Sequence, residues 1–161
     1  MTDAKAEKVS ATTETPTEVV RRLLDALVDF DRDALEATLA DDVAYTNVSL
    51  PTVHGRRAVG SALAKFFGGG GVTFEVMMVN VAAEGAVVLT ERIDAINIGR
   101  FRLQFWVTGR FEVTDGKVTV WRDYFDYYDT TRAALRAVAG AVVPSLRPRF
   151  PDPGSPVTKS R

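Results

Sequence analysis

Three consecutive stretches decide the fold: AVVLTERIDAINI at 86–98, FRLQFWVTGRFEVT at 101–114 and KVTVWRDYFDY at 117–127. Each is rich in β-branched and aromatic residues and is bounded by turn chemistry, Glu84-Gly85, Gly99 and Asp115-Gly116, the last being a strong hairpin signal. The spacing predicts three antiparallel strands over Ala86–Ile98, Phe101–Thr114 and Lys117–Tyr127, preceded by a fourth over Val72–Ala83.

Upstream of these strands the periodicity is helical. Thr15-Pro16-Thr17-Glu18 offers a cap, a proline at the first helical position and a glutamate able to close a capping box. Val20, Leu23, Leu24, Leu27 and Val28 then recur on one face. Asp33 and Glu36 repeat the box for a second helix through about Leu39, and a short strand is expected over Val43–Val48. Arg57–Phe67 reads as a third helix burying Val59, Leu63, Phe66 and Phe67, and Thr130–Val143 as a closing helix. Helices followed by an antiparallel meander make the class α+β, a curved sheet wrapped with helices into a cone that encloses a pocket.

Composition excludes several kinds of chemistry. The 161 residues suit one domain, expected over 15–150, with disordered segments at 1–14 and 151–161. Five of the 7 prolines follow Val143, so that tail holds neither helix nor central strand. There is no cysteine, and His54 is the only histidine, which rules out thiolate catalysis and metal sites built on several imidazoles. A net charge of −1 points to neither a nucleic-acid partner nor a membrane surface. The polar start lacks the apolar stretch of a signal peptide, and no run reaches the length of a membrane span, so the cytoplasm is the expected location.

Alternation along the strands sorts the polar residues. Val88, Thr90, Arg92, Asp94 and Ile96 share one face, so Arg92 and Asp94 point the same way in mid-strand among apolar neighbours. Charges are rarely placed there unless paired. In the last strand Trp121, Asp123, Phe125 and Tyr127 share a face, setting a carboxylate among aromatics, while the opposite face (Val120, Arg122, Tyr124, Asp126) is also mixed. Register leaves open which side looks into the pocket, and a structural ion pair explains the pattern as well as a catalytic group does.

Three segments carry more information: Ala44-Tyr45-Thr46-Asn47, Thr90-Glu91-Arg92-Ile93-Asp94 and Trp121-Arg122-Asp123-Tyr124-Phe125-Asp126. Their order and spacing resemble the signature segments of limonene-1,2-epoxide hydrolases, and Thr15-Pro16, the Leu24–Leu27 helix face and Gly55-Arg56 extend the resemblance over most of Thr15–Tyr127. The chain looks closest to an actinobacterial branch associated with larger, lipid-like epoxides. The resemblance implies the nuclear-transport-factor-like cone shared with ketosteroid isomerase and polyketide cyclases, no cofactor or metal, and a homodimer. It also implies roles. Asp123 matches the base that takes a proton from water, Tyr45 and Asn47 the pair that helps hold that water, Asp94 the acid that protonates the epoxide oxygen, and Arg92 the arginine between the two carboxylates. The connection Ala95–Arg100 is shorter than in the terpene-type enzyme, which bears on the mouth of the pocket.

Such a set suits epoxide opening. The epoxide oxygen is a poor leaving group until protonated, and water is a poor nucleophile until it loses a proton; acid and base each contribute ~10²–10⁴-fold. A free aspartic acid titrates near ~3.9, so the acid must be raised by about 3 pH units to work near neutrality. Two close carboxylates in an apolar cavity cannot both ionise cheaply, and an arginine neutralises one of them. Leu24, Leu27, Ile96, Phe105, Val107, Trp121 and Phe125 are candidates for the wall around an apolar epoxide.

Three other readings compete. An epoxide-opening cyclase would use an internal hydroxyl and yield an ether, whereas Tyr45 with Asn47 favours a held water. A ketosteroid-isomerase-like proton transfer does not call for an arginine between two aspartates. A non-catalytic carrier of apolar ligands gains nothing by burying two carboxylates. Other features read more plainly. Gly68–Gly71 lacks the Lys-Ser/Thr of a phosphate loop and reads as a turn. His54 reads as a surface loop residue, and Arg132, Arg136, Arg147 and Arg149 as solvated charge. The sheet face with Trp106, Arg110 and Arg122 is the expected dimer contact.

Overall fold

The computed structural model describes residues 14–152. Expectations of disorder at 1–13 and 153–161 lie outside the described residues. Helix α1 (Pro16–Val28) begins at the expected box: the Thr15 hydroxyl accepts from the Glu18 backbone N–H, and the Glu18 carboxylate accepts from the Thr15 backbone N–H at 2.7 Å. It buries Val19, Val20, Leu23, Leu24, Ala26 and Leu27, while Val28, at its end, is exposed.

Helix α2 (Arg32–Thr38) departs from expectation. Its cap is Asp31, which accepts from the Ala34 N–H at 3.0 Å, and Glu36 pairs with Arg32 at 2.8 Å instead of closing a box with Asp33. The first strand, β1 (Leu39–Asn47), starts four residues earlier than expected, and Leu39 opens it rather than ending the helix. A two-residue strand, β2 (Val53–His54), pairs with β1, so His54 sits on a sheet edge and not in a loop. Helix α3 (Arg56–Phe67) buries Val59, Leu63 and Phe67 but leaves Phe66 about half exposed, contrary to the expected buried face.

Four long strands follow: β3 (Val72–Glu84), β4 (Val87–Ile98), β5 (Phe101–Thr114) and β6 (Lys117–Tyr124). They form an antiparallel meander. The Asp115-Gly116 turn has positive φ at both residues (51° and 70°), the geometry that lets a two-residue hairpin follow the strand twist. β6 ends at Tyr124, so Tyr127 is not on the strand; Asp126 caps α4 (Tyr127–Val142) by accepting from the N–H groups of Tyr128 and Asp129. The proline-rich tail still makes one 3-10 turn at Pro144–Leu146.

The described residues form one six-stranded sheet in the order β2-β1-β6-β5-β4-β3. β1 joins β6 in parallel, which places Tyr45 beside Trp121 and Asn47 beside Asp123. The core lies between the sheet and helices α1 to α3, around Leu23, Leu35, Val43, Val59, Phe111 and Trp121. α4 packs along β5, and the segment after it is tied to that strand by Gln104 donating to the Arg149 carbonyl at 3.1 Å.

Candidate active site

Strand alternation and the parallel β1–β6 pairing bring five polar side chains to the floor of one cavity. β4 supplies Arg92 and Asp94, β6 supplies Asp123, and β1 supplies Tyr45 and Asn47. All three charged groups are buried. Arg92 is the hub. Its Nε donates to Asp94 Oδ1 at 2.9 Å and Oδ2 at 3.1 Å, Nη2 meets Asp123 Oδ1 at 2.7 Å, and Nη1 donates to Thr90 Oγ1 at 3.2 Å. Trp121 Nε1 donates to Asp123 Oδ2 at 2.9 Å, and Asn47 Nδ2 donates to the Tyr45 hydroxyl at 2.8 Å. The Tyr45 ring packs on Trp121 with centroids 4.4 Å apart.

Burial and pairing set the protonation states. Burial drives the Asp94 carboxyl up to about 7, with the charge of Asp123 adding to the rise and Arg92 holding it back. Burial opposes the charge on Arg92, but Asp123 and Asp94 outweigh it and hold the guanidinium more firmly protonated than usual. Burial, then the Asp123 charge, also raises the Tyr45 hydroxyl, so it remains a donor. Asp123 Oδ1 is itself buried: it has its ionic contact with Arg92 and accepts no hydrogen bond from the described residues.

The cavity has a volume of about 440 Å³. Of the wall residues expected from sequence, Leu27, Ile96, Phe105, Val107, Trp121 and Phe125 line it. Leu24 does not: three residues before Leu27 on α1, it packs into the adjacent core at 3% exposure. Sequence reasoning missed other lining residues: Leu50 and Pro51 after β1, Val53 of β2, Phe66 and Phe67 of α3, and Phe74 of β3. Leu50 and Phe66 are more than half exposed, the one available hint that they stand at an opening. Among the described residues no group of three His, Cys, Asp or Glu side chains is placed to hold a metal ion, and no helix is long and apolar enough to cross a membrane.

Comparison with known proteins agrees with this geometry. The limonene-1,2-epoxide hydrolase catalytic domain matches residues 14–136. The chain belongs to the limonene-1,2-epoxide hydrolase family. A Mycobacterium tuberculosis (strain ATCC 25618 / H37Rv) protein named epoxide hydrolase EphG is 47% identical over 128 residues, 80% of this chain and 85% of that one. The solved structure of an M. tuberculosis LEH-like epoxide hydrolase superposes with a TM-score of 0.76 at 45% identity, covering 80% of this chain and 96% of its own. A protein of ketosteroid isomerase-like fold from Catenulispora acidiphila DSM 44928 shares the fold alone, with a TM-score of 0.65 at 17% identity over 74% of this chain and 94% of that one. As a member of the family, this chain is a hydrolase built on the cone-shaped α+β frame that it shares with the isomerase-like proteins.

Proposed function

We propose that this epoxide hydrolase opens an apolar epoxide in one acid/base step. The observation that carries the reading is the single buried guanidinium spanning two buried carboxyl groups, one of them raised to about 7, at the floor of an otherwise apolar cavity. A water on the floor donates to the Asp123 carboxylate and to the Asn47 side-chain oxygen and accepts from the Tyr45 hydroxyl. One lone pair is left to attack. Asp123 takes the proton as the water oxygen bonds to one epoxide carbon. The bond between that carbon and the ring oxygen breaks, and its electron pair leaves with the oxygen, which takes the proton of Asp94. The product is a vicinal diol.

The charge balance favours this route. Before the step Asp123 is ionised and Asp94 protonated; afterwards the reverse holds. Arg92 touches both, so the negative charge moves from one end of the guanidinium to the other without leaving its field. Low polarity around the pair strengthens that contact. Proton exchange between the two aspartates through solvent resets the enzyme.

The wall is apolar away from the floor, which supports a substrate whose polar atom is the epoxide oxygen itself. A homodimer built on the sheet face carrying Arg110 and Arg122 fits the exposed Leu89 and Tyr124 there, and sedimentation velocity measures it. The decisive test is a single turnover in ¹⁸O-labelled water with a panel of terpene, fatty-acyl and sterol epoxides. Label in the diol and none on the protein carboxylates is expected. Label on Asp94 or Asp123 shows a covalent ester and overturns the one-step route, and a cyclic ether in place of a diol overturns the use of water.

A further inference from the structure

Arg92 has to cross a strand to do its work. It stands on β4 beside Asp94, while Asp123 stands on β6, and β5 runs between them. Thr90 of β4, Gly109 of β5 and Asp123 of β6 are register partners in one row across the sheet. The guanidinium passes over this row at Gly109. A Cβ built on Gly109 would lie 2.6 Å from Thr90 Oγ1, 2.7 Å from Phe111 Cε2 and closer still to Arg92 Nη1, all below the 3.0 Å that real Cβ atoms respect. The backbone there is ordinary strand, so glycine is required by close approach and not by φ. Thr90 is buried, and its hydroxyl is the hydrogen-bond acceptor of Nη1.

We propose that Thr90 and Gly109 are positioning residues for the hydrolysis: the missing side chain at 109 opens the path of the Arg92 guanidinium from Asp94 to Asp123, and the Thr90 hydroxyl fixes where along that path it stops. Neither touches the substrate. Both act through Arg92, and the inference rests on the acid/base reading above. Any side chain at 109 forces the guanidinium off the row toward the cavity that it lines, which draws it away from its two carboxylate contacts. Removing the Thr90 acceptor leaves a buried cationic N–H unpaired and frees the group to rotate toward one carboxylate at the expense of the other. The ionisable groups that face it are Asp94 on its own strand, Asp123 on β6 and Tyr45 on β1.

The experiment measures kcat, KM and the pH profile of Gly109→Ala, Thr90→Val and Thr90→Ser, with Asp94→Asn as reference, on the panel epoxide that wild type turns over fastest. Circular dichroism reports folding. Gly109→Ala and Thr90→Val are expected to lose about tenfold or more in kcat with KM within about threefold, because the defect lies in the transition state. Their alkaline limb is displaced from that of wild type, to higher pH where Asp94 loses the guanidinium and to lower pH where Asp123 loses it. Thr90→Ser keeps the hydroxyl and returns kcat to within about threefold of wild type. Where Gly109→Ala does not fold, the Val/Ser pair at 90 decides. Wild-type kcat and pH profile in a folded Thr90→Val, beside an inactive Asp94→Asn, overturn the positioning role alone. Full activity in Asp94→Asn overturns the acid/base reading and this role with it.

Discussion

The same sheet carries two arginine–carboxylate clusters, one on each face, and they behave in opposite ways. On the inner face the side chains of Arg92, Asp94 and Asp123 are 1%, 5% and 8% exposed, with two carboxyl groups to one guanidinium. On the outer face Arg102 pairs with Glu75, whose side chain is 43% exposed, and Asn97 bridges the two. The Arg102 guanidinium lies 4.7 Å from the Phe150 ring centroid, so the chain after α4 covers this cluster. The Arg102 hydrogen bond holds Glu75 below the usual carboxylate range, whereas burial pushes Asp94 up to about 7. An ion pair with balanced charge and access to water stabilises both charges. A second carboxyl group in an apolar cavity leaves one proton with nowhere better to be, and that proton is available for chemistry.

The comparison breaks first at the carboxyl groups themselves. Asp123→Asn removes the base and Asp94→Asn the acid, and each is expected to cost ~10²–10⁴-fold in kcat with the fold intact, measured as diol formation beside circular dichroism. The outer-face counterpart, Glu75→Gln, is expected to leave kcat within about twofold of wild type. Equal losses on both faces would mean that the inner cluster is merely structural. Next in size is Arg92→Lys. An ammonium is a single point charge that cannot donate to Asp94, Asp123 and Thr90 from three fixed directions, so a loss on the order of 10²-fold is expected. A wild-type rate in that variant would show that charge suffices without geometry.

A pH profile sharpens the contrast without mutation. The acid works only while Asp94 holds its proton, so kcat/KM is expected to fall as pH rises above about 7. Asp94→Asn removes that limb from whatever activity remains, and Glu75→Gln leaves it in place. An alkaline limb that persists unmoved in Asp94→Asn would assign the titration to another group.

The two faces were unequally legible in the sequence. Alternation put Arg92 with Asp94, and Trp121 with Asp123, because a strand has a period of two and these strands are long. The Asp115-Gly116 turn announced its hairpin for the same local reason. Which face looked inward was not local: it follows from β1 lying parallel to β6, a pairing between segments more than seventy residues apart, and the family resemblance supplied that information instead. Gly109 carried a signal that went unread, a glycine in the middle of a strand where packing normally wants a side chain. Phe66 and Leu24 were misplaced because helical periodicity separates apolar from polar faces and cannot tell a core from a cavity wall. The cap of α2 went to Asp31 and not Asp33, since Arg32 takes Glu36 and Phe30 turns the chain at a φ of 51° just before it. β2, two residues long, has no period to read.

The smallest expected effect separates the clusters by sign. Asp94 has a folded value near 7 against an ordinary value of 3.8, so the native state holds the proton more tightly than the unfolded chain. Its contribution to stability is therefore greatest below about pH 4 and falls as pH climbs toward 7. Glu75 is shifted the other way, so its contribution is present above its ordinary value of 4.5 and is lost as pH falls through its lower folded value. Urea unfolding across this range should show Asp94→Asn removing a decline between about pH 4 and 7, and Glu75→Gln costing at most ~1 kcal/mol at neutrality, a ceiling set by solvent screening of its exposed carboxylate. That cost should vanish in acid. Two variants that tilt the stability curve in the same direction would mean that both faces hold their carboxyl groups for the same purpose.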